Sequence, residues 1–66
     1  MYWLQLHGTE ANGAVGSDQI TTPFPSVDSA EIMARELSAT TQFYWGRASG
    51  FRIRNRAKAV VREGAL

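Results

Sequence analysis

Val27-Asp28-Ser29-Ala30-Glu31-Ile32-Met33-Ala34-Arg35-Glu36-Leu37-Ser38-Ala39 is the stretch that decides the fold. Ala30, Met33, Ala34 and Leu37 recur at i, i+3, i+4 and i+7, and Val27 carries the apolar stripe one turn earlier. Asp28, Glu31, Arg35 and Ser38 fall between them and are expected to face water. Ser26 or Asp28 supplies an N-cap, and Asp28-x-x-Glu31 matches a capping box. Acidic residues in the first turn suit the helix dipole. The pattern predicts one amphipathic helix over about 27–39, ending where Thr40 and Thr41 bring β-branched side chains.

Everything around this helix has the period of strands. Tyr2 to His7 alternates, with Tyr2, Leu4 and Leu6 on one face and Trp3, Gln5 and His7 on the other. Gly8 to Ser17 is rich in glycine and reads as a loop. Gln19 to Phe24 is a second strand, with Pro23 and Pro25 marking an edge or an early end. Beyond the helix, Gln42 to Arg47 reads as a third strand with Phe43 and Trp45 on one face. Ala48-Ser49-Gly50 is a turn. Phe51 to Asn55 alternates apolar and basic residues, and Lys58 to Glu63 forms the last strand. The order β-β-α-β-β-β predicts an α+β fold: a small antiparallel sheet of four to five strands with one helix packed on one face.

Composition bounds the rest. Sixty-six residues, 44% hydrophobic and 20% charged, suit one domain spanning 1–66 with globular rather than disordered character. A chain this short buries only about 60% of the surface exposed in its unfolded form, so its core is thin. Self-association into a homodimer is one way such scaffolds gain stability. Cysteine is absent, so there is neither a disulfide nor a thiolate zinc site, and a reducing, cytoplasmic setting is expected. No secretory leader and no membrane span are expected, because the apolar run at Met1–Leu6 is too short for either.

The net charge of +1 hides an asymmetry. Residues 1–46 hold Arg35 against Glu10, Asp18, Asp28, Glu31 and Glu36, a balance of −4. Residues 47–66 hold Arg47, Arg52, Arg54, Arg56, Lys58 and Arg62 against Glu63, a balance of +5. Such a split points to a polyanionic partner or an oriented protein interface.

Register decides what the basic segment does. A two-residue turn at Arg56-Ala57 would set Phe51 opposite Arg62 and put arginine on the buried face. A three-residue turn, Asn55 to Ala57, sets Arg54 opposite Lys58, Ile53 opposite Ala59 and Phe51 opposite Val61. Burying an unpaired arginine costs several kcal/mol, so the second register is expected. Arg52, Arg54, Lys58 and Arg62 then share the outer face. Tyr44 projects beside them, and Arg47 and Arg56 extend the patch at the turns. Arginines next to an aromatic ring on an open sheet are the ingredients for binding RNA or single-stranded DNA. The plainer alternative is that these cations are solvated and keep an edge strand from pairing.

A second functional class is a protein-interaction module, such as a phage- or mobile-element-type inhibitor or regulatory subunit, acting on a protein or nucleoprotein. Trp3 and Trp45, if exposed, are its anchor residues. An enzyme ranks last. The chain has one histidine and no convincing paired carboxylates, and a pocket of about 300 Å³ is hard to build in so small a core. The triple His7, Glu10 and Ser17 has no spacing that supports a triad. Gly13-Ala14-Val15-Gly16-Ser17 lacks the Lys-Ser/Thr pair of a phosphate loop. No metal ligand set and no cofactor are expected.

Overall fold

A computed structural model describes residues 1–9 and 15–66. It contains β1 (Trp3–Thr9), β2 (Val15–Gln19), α1 (Val27–Thr40), β3 (Gly50–Arg54) and β4 (Val60–Ala65). The helix lies where its apolar spacing predicts. Its cap is Ser26 rather than Asp28. The Ser29 N–H donates to Ser26 Oγ at 3.0 Å, and the Ser26 N–H donates back to Ser29 Oγ at 3.2 Å. The capping box is therefore Ser26 with Ser29, two residues earlier than the Asp28–Glu31 pair. Asp28 is already inside the first turn, and the Glu31 carboxylate is free for other partners.

The sheet has the order β2-β1-β3-β4, every neighbour antiparallel. Leu4 stands opposite Ile53, and Leu6 opposite Phe51. All four are at most 2% exposed, so the faces of β1 and β3 divide as the alternation predicts. Ala30 and Ala34 of α1 are fully buried against them. Alanine at both contact positions lets the helix backbone approach the sheet, while Val27, Met33 and Leu37 pack around the margin. The expected α+β architecture is present: one helix on one face of a four-stranded antiparallel sheet.

Three local expectations are corrected. First, the strand expected at Gln19–Phe24 is instead Val15–Gln19, its first three residues in the stretch Gly8–Ser17 read as a loop. Gly16 pairs with Gly8, and Asp18 with Leu6. Phe24 makes only an isolated bridge to Tyr2, with flanking Pro23 and Pro25 preventing a continuous ladder. Glu10, Gly13 and Ala14 lie outside the described residues.

Second, Gln42–Arg47 is not a strand of the sheet. Phe43 and Gly46 bond each other across a tight turn, N–H to O at 2.8 and 3.0 Å. Gly46, at φ 122, supplies the left-handed backbone that this turn requires. Trp45 folds onto the helix-side face of the sheet and is 1% exposed. Its ring lies on the paired Gly8 and Gly16, where an added Cβ would overlap the Trp45 side chain. Glycines read as loop formers are the floor of a tryptophan site. Phe43 stacks on Trp45, with ring centroids 4.9 Å apart, and Ser38 Oγ donates to Ala48 O at 2.9 Å. Ser38 thus ties the helix to this segment instead of facing water.

Third, neither expected register of the last hairpin is adopted. The turn is Arg56-Ala57-Lys58, closed by the Asn55 N–H to Ala59 O at 3.0 Å. Asn55 Oδ1 accepts from the Ala57 and Ala59 N–H groups at 2.9 and 3.1 Å. An asparagine side chain that satisfies two turn amides outweighs the pattern argument for a turn one residue earlier. Arg54 pairs with Val60 but Ile53 with Arg62, so Val61 is the extra residue of a β-bulge. That residue moves Arg62 onto the helix-side face and sets Glu63 opposite Arg52. Among the described residues, no helix is long and apolar enough to cross a membrane.

Candidate functional site

The face of the sheet away from α1 is built by the alternate residues of the core strands. Trp3, Gln5 and His7 come from β1, and Arg52 and Arg54 from β3; Trp3 stands opposite Arg54 and Gln5 opposite Arg52. Gln19 and Ser17 of β2 continue the face, opposite Gln5 and His7. Leu4, Leu6, Phe51 and Ile53 fix these directions, because their burial leaves the intervening side chains no choice of side.

The cations of this face differ in how they are held. Arg52 Nε donates to Glu63 Oε2 at 3.1 Å, so its charge is matched. Arg54 donates instead to the neutral amide oxygen of Gln5 in a half-buried setting. Its guanidinium is oriented without being neutralised by any carboxylate among the described residues. Arg56 and Lys58 sit exposed on the turn. With Trp3, Gln19 and Asn55, these three cations border a hollow of about 360 Å³. No carboxylate among the described residues lines it. A hollow of this size was not expected from so thin a core. It arises outside the core, where the Arg56–Lys58 turn rises beside β1 and β2.

Arg62 is elsewhere. On the helix-side face it donates to Asp28 Oδ1 at 2.7 Å and to Glu31 Oε1 at 3.2 Å. The Asp28 hydrogen bond is the largest cause raising the Arg62 pKa above its ordinary value; desolvation, the next largest, opposes it, and the Asp28 and Glu31 charges add to the rise. Glu31 also accepts from Arg35 at 3.0 Å. The expected arrangement of Arg62 beside Arg52, Arg54 and Lys58 is therefore corrected. An arginine on the helix side is tolerated because it stands at the sheet margin, partly in water and between two carboxylates, rather than buried and unpaired. A second hollow of about 300 Å³ lies among Asp28, Glu31, Ile32, Arg35 and Arg62, and its charges are already paired with one another.

Tyr44 and Arg47 also leave the predicted patch. Tyr44 is 89% exposed at the tip of the turn that carries Trp45. Arg47 is exposed, with its carbonyl against Gly8 on the helix side. Trp45 presents no surface to a partner. Trp3, assigned with Trp45 to a protein interface, is the half-buried tryptophan beside the cations. Of the seven residues predicted to bind nucleic acid, the structure gathers Arg54, Arg56 and Lys58 at one hollow and keeps Arg52 on the same face.

Gln5, Gln19 and Asn55 were not singled out from the sequence. Gln5 was legible by its alternation with Leu4 and Leu6. The other two required the pairing of β2 and the turn geometry. His7 and Ser17 stand opposite each other, while Glu10, the third member of the triple considered with them, lies outside the described residues.

No protein-family model, curated protein or solved structure matches this chain.

Proposed function

We propose that this chain is a small binding module that contacts nucleic acid, or a polyanion of similar chemistry, through the face opposite the helix. The observation that carries the reading is the hollow bordered by Arg54, Arg56, Lys58 and Trp3, with no carboxylate among the described residues lining it. Phosphate oxygens suit all three cations, and arginine can grip them with two parallel N–H groups. Binding rather than catalysis fits the lining, which among the described residues offers no imidazole or carboxylate as general acid or base. The cytoplasm is the setting in which we expect such a module to meet its partner.

The backbone at Lys58 adds support. Lys58 has φ 67, a left-handed conformation that costs a side-chain-bearing residue about 1–2 kcal/mol. Glycine or asparagine fits such a position with less strain. A lysine there keeps a cation at the rim of the hollow at the expense of turn geometry.

The test is a fluorescence anisotropy titration with a labelled single strand and a labelled duplex at several salt concentrations. Three phosphate contacts give a log–log salt slope of about −2 for a single strand, or roughly a twenty-fold loss of affinity between 50 and 200 mM salt. The absence of salt-sensitive binding to either polymer overturns the reading.

A second reading, a protein partner or a second copy, is favoured by one observation. Strand β4 is a sheet edge exposed along its whole length, with Val60 and Val61 45% and 44% exposed. Such an edge can accept another strand. Light scattering over a wide concentration range tests the homodimer form, and a constant monomer mass removes it.

A further inference from the structure

We infer that the hollow beside Trp3 takes one unpaired base of a single strand, stacked on the indole, while flanking phosphates lie on Arg56 and Lys58. This rests on the nucleic-acid reading above and narrows it from polyanions in general to strands whose bases are free to leave a stack.

Among the described residues, neither a guanidinium nor a second ring covers Trp3. Its cross-strand neighbour is Arg54, the residue most able to lay a guanidinium on its ring. Arg54 is instead drawn to Gln5 Oε1. Among the described residues, the cation–π contact is Arg35 over Phe51 and the stacked ring pair is Phe43 with Trp45. Trp3 has neither partner. It is half-buried, so the indole is supported by the sheet while part of it borders the hollow. A ring held in this way gives a base a platform without first having to be ordered.

The polar groups around the ring fit the edge of a base. Asn55 Oδ1 is committed to the Ala57 and Ala59 amides, so Asn55 offers only its N–H donors. Gln19 is exposed and brings both a donor and an acceptor. One adaptable amide and one donor hold a base without selecting strongly among the four. Arg56 and Lys58 are on the turn at the same end of the sheet, which places the backbone of the strand along the turn. A duplex cannot use this arrangement. Its base faces are covered by their neighbours, and a tryptophan on a sheet meets only phosphates and groove edges.

The 66-residue chain is titrated with a labelled ten-nucleotide oligouridine and with a labelled duplex of the same length, as wild type, Trp3→Ala and Trp3→Phe. Stacking predicts that Trp3→Ala weakens oligouridine binding about 5- to 150-fold, with Trp3→Phe between the two and duplex binding little changed. In wild-type protein, oligouridine should shift the Trp3 indole N–H resonance and leave that of buried Trp45 in place. Equal affinity for duplex and single strand, with neither changed by Trp3→Ala, overturns the stacking inference and leaves the polyanion reading intact. Failure of the wild type to bind either polymer removes both. Should Trp3→Ala not fold, the wild-type resonance decides: a Trp3 signal unmoved at saturating oligouridine overturns the inference.

Discussion

The two tryptophans occupy opposite faces of one sheet and are used in opposite ways. Trp45 lies on the helix side, 1% exposed, with its ring on a floor of two paired glycines and Phe43 stacked on it. Trp3 lies on the other side, half-buried, beside three cations and without a ring or guanidinium on it. The chemistry of the residue is the same in both places. What differs is the surface each meets: Gly8 and Gly16 beneath Trp45 remove side chains and draw an indole in, whereas Arg54 across the strand from Trp3 keeps that face polar and open. One tryptophan closes a thin core; the other is the apolar part of a charged surface.

The comparison breaks most severely at the closed end. Trp45→Ala removes a fully buried indole and is expected to cost about 3–5 kcal/mol. That approaches the whole stability of a chain of this length, about 3–10 kcal/mol at typical values per residue. Circular dichroism melting should find the variant largely unfolded at 37 °C. A Trp45→Ala protein with a wild-type melting temperature would mean that the glycine floor and its tryptophan contribute nothing.

Gly16→Ala attacks the same site from below. The new methyl group would overlap the Trp45 Cβ and Cγ, and overpacking of this kind costs about 1–3 kcal/mol. The paired comparison is Ser17→Ala on the neighbouring, outward-facing position, where little change is expected. Chemical denaturation of both variants measures the difference directly. Equal midpoints would show that Trp45 has room to move.

These sites also mark how far the sequence could be read. The helix was legible because four apolar positions and a serine cap agree on it. Leu4, Leu6, Phe51 and Ile53 declared their common face by alternation alone. Trp45 did not, because Phe43-Tyr44-Trp45 has the composition of a strand and only the bare surface at Gly8 and Gly16 makes a turn over the sheet the better burial. Those glycines read as a loop for the same reason: their function is to be absent side chains, which no local pattern reveals. The candidate site was half legible. Arg52 and Arg54 followed from alternation and Arg56 from its place at a turn; Lys58, expected in the strand opposite Arg54, lies in the turn instead, and the fate of Arg62 turned on one extra residue. The Val61 bulge reverses its side.

That reversal gives a smaller and sharper test. Arg56→Gln should lower the magnitude of the salt slope on a single strand by about 0.7, the value for one lost phosphate contact. Arg62→Gln should leave both affinity and slope unchanged, since Arg62 faces Asp28 and Glu31 on the other side of the sheet. It should instead lower the melting temperature slightly, as expected for an exposed ion pair with 41% of the arginine side chain accessible. If the two variants weaken binding alike, the ligand wraps both faces, and the contrast between them is not one of binding against closure.

The smallest effect concerns Lys58, where geometry and charge pull apart. At φ 67 the lysine bears a left-handed penalty of about 1–2 kcal/mol that glycine lacks. Glycine in turn loses about 0.5–1 kcal/mol more backbone entropy on folding. Lys58→Gly is therefore expected to raise stability by about 0.5 kcal/mol, read as a higher denaturant midpoint at unchanged slope. The same substitution removes a cation from the rim of the hollow and should lower the magnitude of the salt slope by about 0.7. A chain that becomes more stable and binds less well at one residue holds that residue for its charge. A loss of stability without a change in binding would assign Lys58 to the turn alone, and leave Arg54 and Arg56 as the cations on which the open face depends.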